Sequence, residues 1–198
     1  MDILSYAALW LSFGAAHSVL TQPNVKERLH PILGINYRLA YNIFSVVHVG
    51  LVLLIGRQIL DGTPAAFANT PIVSLALNAL VLGGVVLMLL SLRQYDLGSF
   101  SGLSQFKSGK PDHLDQAPEP LNTSGLNAWV RHPLYSGAFM FLWGGATSSF
   151  GFWTALFASA YFIIGTKFEE RKLVRLYGDA YRQYQESVSM YFPWKRMS

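Results

Sequence analysis

The chain has 198 residues, 52% of them hydrophobic and 13% charged, and a mean hydropathy of +0.29. That is too apolar for an ordinary soluble domain and places the chain, as one domain, in the membrane class. Cysteine is absent, which excludes disulfides, thiolate nucleophiles and thiolate metal sites, and the location of the charges says more than their formal sum of +4.

The first apolar stretch, "MDILSYAALWLSFGAAHSVL", carries Asp2 where a signal peptide would carry basic residues, and reads as a retained span over about 3–20. Stretches at about 39–56 and 72–92 also have the ~20 apolar residues that a bilayer core of ~30 Å requires. Residues 134–166 then run without a charge. They are too long for one span and short for two, and "GGATSSFGFW" (144–153) places small, turn-prone residues at their middle. A tight helical hairpin of two short spans fits this block.

The expected fold is therefore all-α and integral to the membrane, with about five transmembrane helices. The last two form the hairpin, and a cytoplasmic amphipathic helix, "TKFEERKLVRLYGDAYRQYQESV", follows them. Within it Gly178 reads as a helix stop and Asp179 as a new N-cap. Residues 1–92 supply three N-terminal spans, 93–133 a cytoplasmic loop, 134–166 the hairpin, and 167–198 the cytoplasmic helix and tail. The loop contains "KSGKPDHLDQAPEPLNTSG" (107–125), rich in proline, glycine and acids.

Lysine and arginine alternate along this plan. Three lie between the first two spans, one in the next segment, four in the 93–133 loop, none at the hairpin tip and seven in the tail. The positive-inside rule then puts the N-terminus outside and the C-terminus in the cytoplasm, as in a bacterial inner membrane. The same rule accounts for the basic residues with membrane lipid as partner and no nucleic acid.

Four stretches carry side chains capable of chemistry. In "NAWVRHPLYSG" (127–137), Pro133 suits the first turn of a helix, whose free N–H groups and positive dipole end favour an anionic group. His132 and Tyr135 would project near that end, and Gly137 would let a ligand approach the backbone. A snorkelling Arg131, a capping His132 and an interfacial Tyr135 explain the same residues without a ligand. In "FEERKLVRLYG" (168–178), Glu169 and Glu170 sit just past the last span; a helix-surface pair between Glu169 and Lys172 is the plain alternative. Charged groups at membrane depth tend to be functional, and a hairpin would bring these two stretches together. His17 and His48, inside the first and second spans, suit a haem or metal ligand, or hydrogen bonds between helices. Arg93 and Tyr95, in "LRQYDLGSFSGL", follow the third span as either an anchor or part of a site. No His-x-x-x-His spacing, carboxylate cluster or glycine-rich phosphate loop is present, and no metal site is expected.

"VRHPLYSG", followed about thirty residues later by "EERKLVRLYGDAYRQYQESVSMYFPW", resembles the integral-membrane methyltransferases of the isoprenylcysteine carboxyl methyltransferase type. Gly125, Arg131, His132, Pro133, Tyr135, Glu169, Glu170, Gly178, Tyr181, Tyr184 and Pro193 carry the likeness, over roughly residues 121–194. "FGAAHSVL", "YRLAYNIFSVVHVGLVLL" and "LRQYDLGSFSGL" are similar, more loosely, to the NnrU-like proteins and the membrane thiol methyltransferases. The resemblance implies S-adenosylmethionine held by Gly125, Leu126, His132, Pro133, Tyr135, Gly137, Glu169 and Glu170. It implies His132, Glu170 and Arg131 as the catalytic group, with His132 or Glu170 as proton acceptor, and Arg93, Tyr95, His17 and His48 toward the substrate. Asn127 replaces a family tyrosine, and Gly165 replaces an arginine that the isoprenylcysteine enzymes use near their substrate's carboxylate. A small or lipophilic acceptor, a thiol first, then fits better than a prenylated cysteine. The NnrU likeness leaves a haem b protein ligated by His17 or His48 as the alternative, and a non-catalytic membrane assembly factor as a third.

Overall fold

The computed structural model describes residues 2–60, 70–109 and 120–194. Lys110, Lys195 and Arg196, which enter the charge pattern, and much of the 107–125 stretch lie outside them. The described residues are helical, with one isolated parallel bridge between Val130 and Ser189. The chain divides into two compact units, residues 1–63 with 95–117 and residues 64–94 with 118–198.

The first unit holds α1 (Asp2–Leu20), α2 (Pro23–Leu33), α3 (Tyr37–Leu60), α5 (Leu97–Ser101) and α6 (Leu103–Ser108). Helices α1 and α3 pack through Tyr6, Trp10 and Phe13, which recur at helical spacing on one face of α1 and are buried. Gly56 makes the contact possible: a Cβ there would lie 2.1 Å from the Tyr6 ring. The helices α2, α5 and α6 fall where sequence reading expects only loop. Their signals are end signals rather than periodicity. Asp96 caps α5 by accepting from the N–H groups of Gly98 and Ser99 at 3.0 and 3.2 Å, and Gly102 and Gly109, at φ +88° and +65°, end α5 and α6.

The second unit holds α4 (Pro71–Leu92), α7 (Pro133–Gly144), α8 (Ser149–Tyr177) and α9 (Asp179–Ser187). Helices α4 and α7 meet almost backbone to backbone. A Cβ on Gly84 would stand 2.6 Å from the Gly137 oxygen and the Phe141 nitrogen, and one on Gly144 2.7 Å from the Val81 nitrogen. Small residues at such contacts are the usual means by which apolar helices associate without water to drive them.

The expected hairpin is present, but its arms are unequal. α7 has 12 residues, about 18 Å of helix, while α8 has 29, about 44 Å. Four helical stretches are long and apolar enough to cross a membrane: Asp2–Leu20, Pro23–Leu60, Pro71–Leu92 and Ser149–Tyr177. α7 is too short to be counted with them, because the hairpin turn falls early, at residues 145–148, where Ser148 caps α8 through the Gly151 N–H at 3.0 Å. Large apolar side chains such as Ile43, Val46, Leu75, Leu82 and Leu89 are exposed along α3 and α4. Faces of that kind suit lipid and not water, and the architecture is that of an all-α membrane protein.

α8 continues past its apolar part to Tyr177 and α9 follows. Gly178, at φ +59° and ψ −130°, joins them in a conformation essentially reserved for glycine. Asp179 is the first residue of α9 rather than its cap, and instead accepts from Arg182 at 2.6 Å. A Gly178→Ala protein is expected to lose about 1–3 kcal/mol, read as a lower melting temperature in detergent, with the helix content kept.

Candidate active site

The site grows from the junction between α7 and the chain that follows α9. Residues 130–132 run beside 189–190: the Arg131 N–H donates to the Ser189 carbonyl at 2.9 Å and the His132 N–H to the Met190 carbonyl at 3.1 Å. Ser136 donates to the Tyr191 carbonyl at 2.7 Å, and the Tyr184 hydroxyl to the Asn127 carbonyl at 2.6 Å. Pro133 then opens α7, as its missing N–H allows. His132 holds the N-cap position but makes no side-chain cap bond, because its ring is turned toward α8.

There the two charged stretches meet, although 38 and 39 residues separate the partners. Arg131 aims Nε and Nη2 at Glu170 Oε1, each at 2.7 Å, and its Nη1 donates to the Gln185 carbonyl at 3.2 Å and to the Val188 carbonyl. His132 Nε2 lies 3.1 Å from the same Glu170 oxygen, and the Tyr181 hydroxyl donates to it at 3.4 Å. Gln185 Nε2 donates to Glu170 Oε2 at 2.9 Å. Arg131, His132 and Glu170 are all buried. Arg131 is thus no snorkelling anchor: it ties the entry to α7, α8 and the end of α9 to one carboxylate.

Electrostatics follow from this crowding. Burial alone pushes the Glu170 carboxyl up, but the hydrogen bonds from His132 and Arg131, the Arg131 charge and the Gln185 amide outweigh it. They hold the carboxyl at about 2, down from 4.5. Burial, with Glu170 adding to it, raises the Tyr184 hydroxyl to about 12, so Tyr184 stays a neutral donor. A carboxyl held that low is a poor proton acceptor near neutrality. Its five donors also leave it little capacity for a ligand. Glu170 and Arg131 are thus engaged by each other and by their neighbours, a geometry that suits holding His132 in place.

The sign of the pH effect follows. A carboxyl whose folded pKa lies below its unfolded value stabilises the fold at higher pH and loses that contribution as pH falls toward the folded value. The melting temperature is expected to be insensitive to Glu170 from pH 8 to 5 and to fall between about 4.5 and about 2. A Glu170→Gln protein would show a flatter acid limb.

Glu169 differs from its neighbour. It is 44% exposed, accepts from the Tyr135 hydroxyl at 3.2 Å and lies 4.0 Å from His132 Nδ1. The pair expected with Lys172 is not made; the Glu169 oxygen turns toward α7. The His132 and Tyr135 rings stack at 5.6 Å, Tyr135 stacks on Phe162 at 5.3 Å, and Tyr191 closes on His132 at 6.1 Å and on Phe139 at 4.9 Å. Beside this wall the hydroxyls of Thr166 and Tyr191 are buried against each other. Thr166, Tyr191 and Gln185 escape a sequence reading. Only Gln185 has a signal, since Tyr181, Tyr184, Gln185 and Val188 recur at helical spacing.

The other residues expected at the site make contacts of their own. The bare face of Gly137 packs against Gly84 and Met88 of α4, within 2.9 Å of where a Cβ would stand. Gly125 opens a 3-10 turn over Gly125–Ala128 at φ +60°, with Leu126 accepting from the Val130 N–H inside it. Arg93 is exposed at the end of α4. Tyr95, His17 and His48 belong to the first unit. There the Tyr41 hydroxyl lies 2.5 Å from His17 Nε2, and Ser12 Oγ lies 3.3 Å from His48 Nε2. These are the bonds between helices that polar side chains in apolar surroundings require.

The fold and the cluster define a multi-pass helical membrane protein with a buried ion pair at the base of a helical hairpin. Among known proteins, the chain is 39% identical over 85 residues to methanethiol S-methyltransferase 1 of Bradyrhizobium diazoefficiens, covering 41% of this chain and 29% of that protein. It is 39% identical over 70 residues to methanethiol S-methyltransferase of Mycobacterium tuberculosis, covering 35% and 29%. Over 195 residues it is 27% identical to methanethiol S-methyltransferase of a Pseudomonas species, covering 98% and 74%. The matched segments thus span less than a third of the length of the Bradyrhizobium and Mycobacterium relatives. The chain matches no protein-family profile and no solved structure.

Proposed function

We propose that this chain transfers a methyl group from S-adenosylmethionine to a small thiol at the cytoplasmic edge of a membrane. The names of the relatives support the reaction class, and the chemistry of the site supports the donor. Glu169 offers an accessible carboxylate beside the rings of Tyr135, Phe162 and Tyr191, a set suited to a cation. S-adenosylmethionine, when bound, supplies a methyl group on a positively charged sulfur, already activated for attack.

The chain's residues then have three tasks. Glu169, Tyr135 and the turn at Gly125 and Leu126 hold the donor. The aromatic wall around His132 excludes water and lines up the thiol. His132 receives the thiol proton, and the observation that carries the reading is its pairing with Glu170. An ionised carboxylate only accepts, so a neutral His132 must keep its proton on Nε2, which leaves Nδ1, on the Glu169 side, with its lone pair. The orientation, with the N-terminus outside, follows from the Lys and Arg pattern. An apolar acceptor would arrive through the bilayer and the charged donor from the cytoplasm.

Calorimetric titration of the detergent-purified protein with S-adenosylhomocysteine tests the donor site. Wild type is expected to bind in the micromolar range, and Glu169→Gln at least tenfold more weakly with an unchanged melting temperature. A folded wild-type protein that gives no heat of binding would rule the donor out.

A further inference from the structure

The face of α8 next to Glu169 carries a second feature that methyl transfer does not use. Lys167, Glu170, Arg171, Val174, Arg175 and Gln185 line an open cleft of about 430 Å³. Its three cations recur every four residues and so stand in one row. The only carboxylate among the lining residues, Glu170, is already neutralised by Arg131 at 2.7 Å, and Gln185 is spent on its other oxygen. Among the described residues no carboxylate pairs with Lys167, Arg171 or Arg175. Three like charges on one helix face repel one another, and among the described residues no carboxylate offsets them.

The position of the row selects the ligand. The uncharged part of α8 ends at Thr166, one residue before Lys167. At 1.5 Å per residue, Arg171 stands about 6 Å and Arg175 about 12 Å further along the helix. The headgroup layer is about 5–8 Å thick on each side of the hydrocarbon. Lys167 and Arg171 therefore fall at headgroup depth. Phe168 is exposed beside them, with the Arg171 guanidinium 5.6 Å above its ring, and the same unit exposes Trp129, Phe192 and Trp194. Exposed aromatic rings of this kind mark a membrane–water boundary.

We infer that the cleft between α8 and α9 binds the phosphate of an anionic phospholipid headgroup through Lys167 and Arg171, with Arg175 at its outer rim. A zwitterionic lipid carries its own cation next to its phosphate and gains less from this row. The inference does not depend on the methyl-transfer reading.

The test uses the full chain in dodecyl maltoside, with equal amounts of phosphatidylglycerol and phosphatidylcholine added, and bound lipid read by native mass spectrometry. Wild type is expected to retain phosphatidylglycerol over phosphatidylcholine. Lys167→Gln with Arg171→Gln should weaken that retention roughly twenty-fivefold, at about fivefold per cation, while Arg171→Lys keeps most of it. Lys172→Gln with Arg182→Gln removes the same charge outside the cleft and should change retention less than twofold. Equal loss in both double variants would mean diffuse attraction without a site, and equal retention of the two lipids by wild type would also overturn the inference. Inorganic phosphate at low millimolar concentration should not displace the lipid; if it does, the occupant is a soluble phosphate. Loss of S-adenosylhomocysteine binding in Lys167→Gln with Arg171→Gln, with lipid retention intact, would assign the cleft to the methyl donor instead.

Discussion

An Arg131→Met protein is expected to lose about 3–5 kcal/mol of stability, the usual result of removing one partner from a buried ion pair. Thermal unfolding in detergent would show this as a drop on the order of 10 °C. The size follows from what remains behind. Glu170 would stay buried with only neutral donors and His132, and the carbonyls of Gln185 and Val188 would lose their guanidinium. A surface anchor would behave differently, since exposed ion pairs contribute only about 0–1 kcal/mol. Replacing both partners, Arg131→Met with Glu170→Met, should recover at least half of the loss, because two apolar side chains leave no stranded charge. The double variant should nonetheless remain inactive, since His132 no longer has the carboxylate that fixes its tautomer.

The second large effect is expected at Gly137. An alanine there would place a Cβ 2.8 Å from the Gly84 oxygen and 2.9 Å from the Met88 nitrogen, both backbone atoms of α4. Neither can move aside without shifting the helix, so Gly137→Ala should cost about 1–3 kcal/mol. Gly165→Ala is the internal comparison. Nothing stands within 4 Å of its added Cβ, and alanine favours helix, so it should be neutral or slightly stabilising. Packing and ligand contact also predict different binding. If Gly137 serves packing, the folded Gly137→Ala protein binds S-adenosylhomocysteine within twofold of wild type. A selective loss of affinity at unchanged melting temperature would return Gly137 to the donor site.

Much of the architecture is legible in the sequence because hydrophobic length is a strong signal. The spans over α1, α3 and α4 and the turn in 144–153 follow from it directly. What length does not encode is where the hairpin turn falls, and the cap at Ser148 moves it early enough to leave α7 short. The meeting of Arg131 and His132 with Glu169 and Glu170 is legible too, because a charge-free block flanked by charged ends has few ways to fold. The division of labour between the two glutamates is not. Adjacent carboxylates look alike in a sequence, and only burial and the placement of Arg131, Gln185 and Tyr181 make one a pinned anchor and leave the other accessible. Gly137 is ambiguous for a similar reason: glycine beside a charged stretch suits a ligand or a neighbouring helix equally, and in the fold it packs against Gly84 on α4.

The most direct test of the central claim is headspace mass spectrometry of purified protein incubated with methanethiol and S-adenosylmethionine deuterated at the transferred methyl. Methyl transfer predicts dimethyl sulfide carrying one deuterated methyl group, formed by wild type and reduced at least a hundredfold in a folded His132→Ala protein. A folded wild-type protein that binds the donor product yet forms no labelled sulfide would contradict the thiol as acceptor. A His132→Ala protein as fast as wild type would contradict the role given to the imidazole.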